Sequence, residues 1–420
     1  MTRRDLLLLI LAFLITRAAF TAAGVLSIRF LPTTEGKEYT HLLDGGAALD
    51  MWYRWDAGFY ASIATYGFDW VNEARPADDM AFLPLYPLAI HLVGGMTDTG
   101  CLLSPYLSTC ATIGGVAVSN AALLLATLLL FDLAQAHYGG KVAWGAALLL
   151  LISPISVYLS GVYTESLFLL LTLLTFWLLE RDRFVLAVGA AALACLTRSV
   201  GAALFVPLAW AAIFPLTPLP SPTQAGRGEQ ERDGGFAPSP EFGGGMGRGS
   251  NWRSTAHPYR IALAFVPPLI FAAYIVLAGV SVGDPLAYFK TYGSTWGRTT
   301  GSPLQAFTIY FSGEPVALFG WNPAWIDLIM TLVYLALGAW LLIKPGLRVW
   351  GLFALVALLI PIATGSLLSM PRFGATLFPL PTSCWRSGRT ALYKQVIVYG
   401  ATAALALLFL TRFVTWHWIA

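Results

Sequence analysis

Long apolar runs alternate with short polar connections along most of the chain. A helix that crosses a bilayer needs ~20 mostly apolar residues. Runs of roughly this length occur at 5–28, 111–134, 141–159, 163–179, 184–214, 260–281, 325–343, 347–366 and 391–413. Shorter apolar runs occur at 81–95, 303–320 and 373–384. The pattern predicts an all-α polytopic membrane protein, a bundle of about 9–12 transmembrane or re-entrant helices.

Composition supports this fold class and excludes several others. Apolar residues make up 57% of the 420 residues and charged residues only 11%, whereas soluble domains carry about 25% charged residues. So few charges cannot cover a water-exposed surface, and so apolar a chain is not intrinsically disordered. The net charge of +3 has no accompanying basic motif. We therefore expect the lipid bilayer, and no nucleic acid, as a partner.

Basic residues near the ends of the runs predict the orientation. Arg3 and Arg4 precede the first run, which indicates a cytoplasmic N-terminus. The polar segment 29–80 then lies on the outer side. The run 81–95, which contains Pro84 and Pro87, is short enough to re-enter the membrane or to lie in its interface instead of crossing.

One stretch divides the chain into two membrane halves. Residues 215–258 contain seven Pro and nine Gly, so they cannot bury enough apolar surface to offset the entropy of ordering. We predict a disordered linker there. It joins an N-terminal half at 1–214, which includes the outer segment 29–80, to a C-terminal half at 259–420.

Cysteine and acidic residues give no signal for a metal or another cofactor. The four cysteines and five histidines show no metal-ligand spacing. Cys101 and Cys110 fall in one predicted loop, and we expect two free thiols there, with a disulfide as the alternative. Asp78 and Asp79 lack the spacing of a metal-binding Asp-x-Asp triplet and are interpreted as part of a solvated loop.

Ionisable residues at membrane depth are the candidates for function, because each is costly without a partner. Arg17 and Asp132 are interpreted as structural pairs or snorkelling charges, whereas the others, Glu165, Arg198 and Arg372, lie beside further unusual residues. In the outer segment, Asp56 stands among many aromatic residues. Two interpretations fit it equally: a carboxylate shielded from water that can take a proton from a hydroxyl, or an interfacial helix whose aspartate faces water.

Several motifs, in order along the chain, resemble one family. They are Arg-Trp-Asp-Ala-Gly-Phe-Tyr at 54–60, Phe-Leu-Pro-Leu-Tyr-Pro at 82–87, Ser-Pro at 153–154 with Tyr-Thr-Glu-Ser at 163–166, Thr-Arg-Ser at 197–199, Gly-Asp-Pro at 283–285, Trp-Gly-Arg at 296–298 and Met-Pro-Arg-Phe at 370–373. This set resembles the PIG-V-type mannosyltransferases, multi-span enzymes of GT-C architecture that use polyprenyl-phosphate sugars. The chain looks like a bacterial member. It departs mildly from the family pattern at Leu83, Ser153, Thr164 and Val200.

The resemblance implies a reaction and a set of site residues. Mannose or a related hexose would pass from a polyprenyl-phosphate donor to an acceptor hydroxyl on the extracytoplasmic side, with inversion. Asp56 would be the general base, and Glu165 a second carboxylate or a ligand of sugar hydroxyls. The cations expected on the phosphate are Arg198, Arg298 and Arg372, because guanidinium groups form bidentate bonds. Arg54, Trp55 and Tyr163 would contact substrate.

Alternatives remain open for both the acceptor and the class of function. A glycolipid, a glycan or a protein all fit as acceptor. A multi-span transporter or lipid flippase without transferase activity is the alternative function, although the two halves show none of the inverted repeats common in transporters. A scaffold protein would not need buried arginines and glutamate. We expect an integral protein of a prokaryotic plasma membrane.

Overall fold

The protein is helical throughout the part of the chain that the structure describes. A computed structural model describes residues 1–34, 46–68, 78–95, 107–214, 258–296, 302–311, 324–344, 347–377 and 392–417, and these ranges contain no β-strand. The N-terminal half contains α1 (Arg3–Phe30), α2 (Ala47–Asp50), α3 (Ala57–Tyr66), α4 (Leu85–Val93), α5 (Leu107–Tyr138), α6 (Gly140–Leu151), α7 (Ser156–Ser160), α8 (Glu165–Glu180), α9 (Phe184–Cys195) and α10 (Phe205–Ile213).

The second half continues the same architecture. It contains α11 (Pro258–Ala264), α12 (Val266–Ser281), α13 (Ala287–Trp296), α14 (Gln305–Thr308), α15 (Ala324–Leu342), α16 (Arg348–Ile362), α17 (Met370–Ala375) and α18 (Leu392–Val414). Short 3₁₀ helices lie at Asp78–Ala81, Ser199–Leu204 and Ile309–Phe311. The predicted linker, most of which falls at 215–257, lies outside the described residues.

Five helices in the described ranges are long and apolar enough to cross a membrane. They are Arg3–Phe30, Thr109–Tyr138, Pro258–Ser281, Trp325–Leu342 and Val396–Val414. Four shorter apolar helices of 10–17 residues accompany them: Gly140–Leu151, Phe184–Cys195, Ser199–Ile213 and Arg348–Ile362. The predicted all-α polytopic membrane protein is thereby confirmed.

The helices pack as a bundle in which the first and last helices are neighbours. Helix α8 lies between α5 and α9, while α18 returns to pack along α1. The backbone N–H of Thr34 donates to the carbonyl of Thr415 at 3.1 Å, which ties the end of α1 to the end of α18. Thr2 and Asp5 begin α1 with a capping box, which satisfies two N–H groups that have no partner within the helix.

Two of the predicted spans are wrong in detail, because the helices break where polar residues lie. The run 141–159 ends as a helix at Leu151, and the run 184–214 ends at Cys195 and resumes as a 3₁₀ helix at Ser199. Backbone that is not helical is tolerated at membrane depth where protein buries it. At the second break, a Cβ on Gly201 would lie 2.6 Å from the backbone nitrogen of Cys195, so the chain doubles back closely enough to require glycine.

Helix α4 explains the short run at 81–95. It has nine residues, or about 14 Å at ~1.5 Å per residue, which is too short to cross a hydrocarbon core of ~30 Å. This length fits a run that re-enters the membrane or lies in its interface.

The cysteine and acidic-loop expectations need correction. Cys110 takes part in a disulfide, so the expectation of a free thiol there is wrong; Cys101 lies outside the described residues. Asp79 is buried, with 3% of its surface exposed, because the 3₁₀ helix 78–81 packs against α13. The expectation of a solvated loop is therefore wrong for Asp79.

Arg17 and Asp132, the two charges with an expected structural role, both have partners within the protein. Arg17 donates to Ser160 Oγ at 2.6 Å and to Ser156 Oγ at 3.0 Å, and also to the carbonyl of Leu151. Asp132 pairs with Arg181 at 3.0 Å. Arg17 thus fixes the connection between α6 and α8, which includes the short helix α7.

Candidate active site

An open cleft is lined by residues from both the N-terminal and the C-terminal parts of the chain. Its wall residues come from α3, the segment before α4, the start of α8, the break after α9 and the start of α17. They are Asp56, Tyr60, Ala81, Phe82, Leu83, Thr164, Thr197, Arg198, Ser199, Leu368, Ser369, Arg372 and Phe373.

Asp56 stands at the N-terminus of α3, and a tight turn directs it into the cleft. Trp55, just before it, adopts the left-handed backbone region with φ of 55°, which is uncommon for a residue with a side chain. The carbonyl of Asp56 accepts hydrogen bonds from Phe59 and Tyr60, so the residue already belongs to the first helical turn. Its carboxylate is 14% exposed. The segment is therefore not an interfacial helix whose aspartate simply faces water.

Glu165 lies beneath the cleft and joins two arginines. One carboxylate oxygen, Oε1, accepts from Arg372 Nε at 2.9 Å and Nη2 at 2.8 Å. The same oxygen lies 2.7 Å from Arg198 Nη1. The side chain is fully buried and does not belong to the cleft wall. Glu165 is thus placed to orient the two guanidinium groups.

Arg372 is the central charge of the cluster. Its Nη1 lies 3.4 Å from Asp56 Oδ2, so this side chain connects both carboxylates. The guanidinium carbon lies 4.4 Å from the ring centre of Tyr158 and 5.0 Å from that of Tyr163, distances at which a cation–π contact is favourable. Ser369, at the start of α17, has φ of 64°, and its carbonyl accepts from the backbone N–H of Arg372 at 3.0 Å.

Arg198 approaches from the break between α9 and the 3₁₀ helix. Its backbone is extended, which turns the side chain toward the cleft. Besides Glu165, Nη1 contacts Thr164 Oγ1 at 3.1 Å, and the guanidinium lies 4.8 Å from the ring centre of Phe373. Both arginines therefore reach the cleft wall while Glu165 fixes them from below.

Of the other predicted contact residues, the three that the structure describes do not belong to the cleft wall. Arg54 is 1% exposed, and its Nη2 pairs with Asp50 at 2.7 Å. Tyr163 is buried, and its hydroxyl donates to the carbonyl of Arg54 at 2.9 Å. The ring of Trp55 packs edge-on against Trp416. Arg298 lies outside the described residues.

Sequence reasoning missed the hydroxyl groups of the cleft. Tyr60, Thr164, Thr197, Ser199 and Ser369 all belong to its wall. Tyr60 follows Asp56 by four residues, which places both on one face of a helix, and Thr164 and Thr197 adjoin Glu165 and Arg198 directly. The spacing of these residues from the charged residues could have identified them in the sequence.

The surroundings of Asp56, which lies between α2 and α3 and outside the spanning helices, set its acidity. Burial raises the pKa of this carboxyl above the ordinary aspartate value; Arg372 and Arg198 oppose that shift, and Glu165 adds to it. A raised pKa makes the carboxylate a better proton acceptor. Within the described ranges, no group of three or more His, Cys, Asp or Glu residues is arranged to hold a metal ion.

The bundle and its charged cleft define an integral membrane protein whose buried carboxylates and arginines converge on one cavity. Residues 5–210, just under half of the chain, match the family model described as Mannosyltransferase (PIG-V). This match confirms the resemblance seen in the motifs of that part of the chain.

Curated relatives agree with the family match. The chain is 31% identical over 178 residues to the rat GPI alpha-1,6-mannosyltransferase 2, an alignment that covers 38% of this chain and 32% of the relative. It is 34% identical over 150 residues to the human protein of that name, covering 35% of this chain and 29% of the relative. For GPI mannosyltransferase 2 of Yarrowia lipolytica the identity is 27%, with 46% and 48% covered. The alignments thus span about a third to a half of these relatives' length.

A solved structure was also found among the matches. It is the oligosaccharyltransferase of Archaeoglobus fulgidus, crystallised with a tethered acceptor peptide, at 12% identity and a TM-score of 0.40. The match covers 96% of this chain and 55% of that one.

Proposed function

We propose that this protein is a membrane glycosyltransferase that transfers a hexose, mannose by its family, from a polyprenyl phosphate to an acceptor hydroxyl. In the proposed step a bond forms between the acceptor oxygen and C1 of the sugar, while the bond from C1 to the phosphate oxygen breaks. The acceptor proton passes to Asp56. The polyprenyl phosphate leaves as an anion, and attack from the opposite face inverts C1.

One observation carries the proposal: Asp56, Arg198 and Arg372 share the wall of a single cleft. A carboxylate is the base that the acceptor hydroxyl requires, and guanidinium groups are well suited to a departing phosphate. Glu165 holds both guanidinium groups, so they are oriented before substrate binds. Orientation in advance avoids reorganisation during the reaction, which is the main advantage of an electrostatic site.

The length of α8 supports an extracytoplasmic position for the cleft. This helix begins at Glu165 beneath the cleft and ends after 16 residues at Glu180, or about 24 Å away at ~1.5 Å per residue. Next to its far end, Arg181 pairs with Asp132, which also contacts the N-terminus of the chain at 3.7 Å. Cations collect on the cytoplasmic side of membrane proteins, so the proposal places the N-terminus there and the cleft on the other side.

Membrane spans give a lipid-linked donor a place for its chain. Many large apolar side chains of the spanning helices are exposed on the surface of the bundle, among them Leu11, Leu14, Ile329 and Leu332. A donor chain can lie in the surrounding bilayer while its sugar phosphate enters the cleft. We propose a prokaryotic plasma membrane as the site of action, and a glycolipid, glycan or protein as acceptor.

The experiment that tests the function is donor profiling in proteoliposomes. The purified protein is given a panel of polyprenyl-phosphate sugars, labelled in the sugar, together with candidate acceptors. Transfer from the mannose donor, lost in Asp56→Asn, supports the proposal. Movement of intact donor across the bilayer without cleavage would instead identify a flippase.

A further inference from the structure

The cleft contains polar groups that the proposed chemistry leaves without a role. Asp56 takes the proton, and the arginines bind the phosphate. The remaining side chains that can bond to a sugar are hydroxyl groups of the wall, at Tyr60, Thr164, Thr197, Ser199 and Ser369. Thr197 donates its hydroxyl to the carbonyl of Ala194 at 2.5 Å, which commits its proton to the backbone.

We propose that Tyr60 recognises a hydroxyl group of the transferred sugar, with Thr164 beside it, and so contributes to the choice of hexose. This inference rests on the proposed function and deepens it. It assigns a specificity role to a side chain whose aromatic ring is buried but which still belongs to the cleft wall.

Tyr60 lies in the same cleft wall as the proposed base and the arginines proposed to bind the phosphate. It follows Asp56 by one helical turn, so the two side chains lie on the same face of α3, about 5–6 Å apart at Cβ. Thr164 opposes part of the rise in the pKa of Tyr60, and it contacts Arg198 at 3.1 Å. In the proposed step the transferred sugar lies between the phosphate-binding arginines and Asp56, and Tyr60 and Thr164 line the same cleft wall.

Neighbouring rings fix the position of Tyr60. Its ring packs edge-on against Phe82, with 4.9 Å between centres, and against Tyr86 at 5.2 Å. The hydroxyl of Tyr86 contacts Ser119 Oγ at 2.7 Å, so that tyrosine is held within the bundle. Burial and the nearby carboxylates raise the pKa of Tyr60, which keeps its proton available for donation to a sugar oxygen.

The test pairs Tyr60→Phe with donors that lack single hydroxyl groups. Transfer is measured in proteoliposomes with polyprenyl-phosphate mannose and its 2-, 3-, 4- and 6-deoxy analogues. With mannose, the variant should lose about 3- to 10-fold in kcat/KM, the worth of one hydrogen bond between neutral groups. With one deoxy analogue that loss should disappear, because neither variant nor parent can form the bond. The loss caused by Thr164→Val should likewise disappear with the analogue that is deoxygenated at the same or the adjacent position, whereas Thr164→Ser should cause little loss with mannose.

Matched controls separate this inference from the proposed function. Tyr66→Phe removes a hydroxyl from the same helix at a residue that is 60% exposed and outside the cleft wall, so no analogue should reveal a change. An equal loss for Tyr60→Phe with every donor, or no loss with any, would overturn the inference while leaving the function intact. Failure of the parent protein to transfer from any donor would overturn both.

Discussion

Arg372 Nη1 lies 3.4 Å from Asp56 Oδ2, although 316 positions separate the two residues in the chain. One belongs to the first half of the protein and the other to the second. The contact places the proposed base beside a group that is proposed to bind the leaving phosphate. Because the second carboxylate, Glu165, binds the same arginine, the geometry of the cleft depends on how the two halves pack.

Asp56→Asn should abolish most of the transfer activity. Asparagine keeps the shape of the side chain but cannot accept the proton, and general base catalysis contributes typically ~10²–10⁴-fold, or about 3–5 kcal/mol of barrier. Donor affinity, measured by direct binding, should change little. Asp182→Asn is the control, since Asp182 pairs with Arg260 and is 82% exposed. Transfer by the Asp56 variant within a few-fold of the parent, at equal insertion, would remove Asp56 from the role of base.

The pH dependence should report the acidity of Asp56. Because burial raises its pKa, the carboxylate takes up a proton as pH falls through that raised value, and kcat/KM should decline on the acid side above the ordinary aspartate pKa near 3.8. Removing the cation in Arg372→Gln should move this acid limb to still higher pH, whereas Arg372→Lys should move it less. A limb that shifts downward in Arg372→Gln would contradict the assignment to Asp56.

Glu165→Gln should act on binding and stability more than on proton transfer. The substitution leaves two buried guanidinium groups without the carboxylate that joins them, and loss of one partner of a buried pair costs up to about 3–5 kcal/mol. The unfolding temperature should fall and the donor Kd should rise, since the arginines lose their orientation. The acid limb of the pH profile should persist. A loss confined to kcat, with stability and Kd unchanged, would restore Glu165 as a catalytic carboxylate.

Local sequence patterns predict that a helix forms more reliably than they predict the residue at which it ends. The run 184–214 is apolar almost throughout, so hydropathy gives one span, yet the helix stops at Cys195. The reason is tertiary: Arg198 leaves the helix to reach Glu165 at 2.7 Å, and no local pattern contains that partner.

The site shows the same difference between what local sequence predicts and what packing between distant segments decides. The motifs identified Asp56, Glu165, Arg198 and Arg372, and the structure brings these four together. Sequence alone could not separate residues that line the cleft from those that support it, because the separation depends on packing between distant segments. In the sequence Tyr60 is one of many aromatic residues. Its position on the same face of α3 as Asp56 is what distinguishes it.

A pair of cysteine variants should reveal the orientation of the cleft. Leu368→Cys lies in the cleft wall, and Asp182→Cys lies next to the far end of α8. In a variant that lacks the four native cysteines, a membrane-impermeant thiol reagent added outside should label position 368 in intact cells and position 182 only after permeabilisation. The opposite pattern would place the cleft in the cytoplasm and contradict the proposed use of an externally presented donor.

Arg54 offers a test of a predicted substrate contact against a structural role. It forms a buried pair with Asp50, both side chains being 1% exposed, and it also donates to the carbonyl of Val414 at 3.3 Å. Breaking a buried pair on one side leaves an uncompensated charge, at a cost of about 3–5 kcal/mol, while replacing both partners with apolar residues is often far milder.

Arg54→Met should therefore lower the unfolding temperature strongly, and Asp50→Leu should do the same. The double variant should be more stable than the sum of the two single losses predicts, which is the signature of coupled residues. The KM for the donor, measured below the unfolding temperature, should stay within about 2-fold of the parent in the double variant, since a net change of under ~0.5 kcal/mol is expected where no contact to substrate is lost. If instead the KM rises at least tenfold while stability recovers, Arg54 binds substrate directly, and the buried pair is a state that donor binding must open.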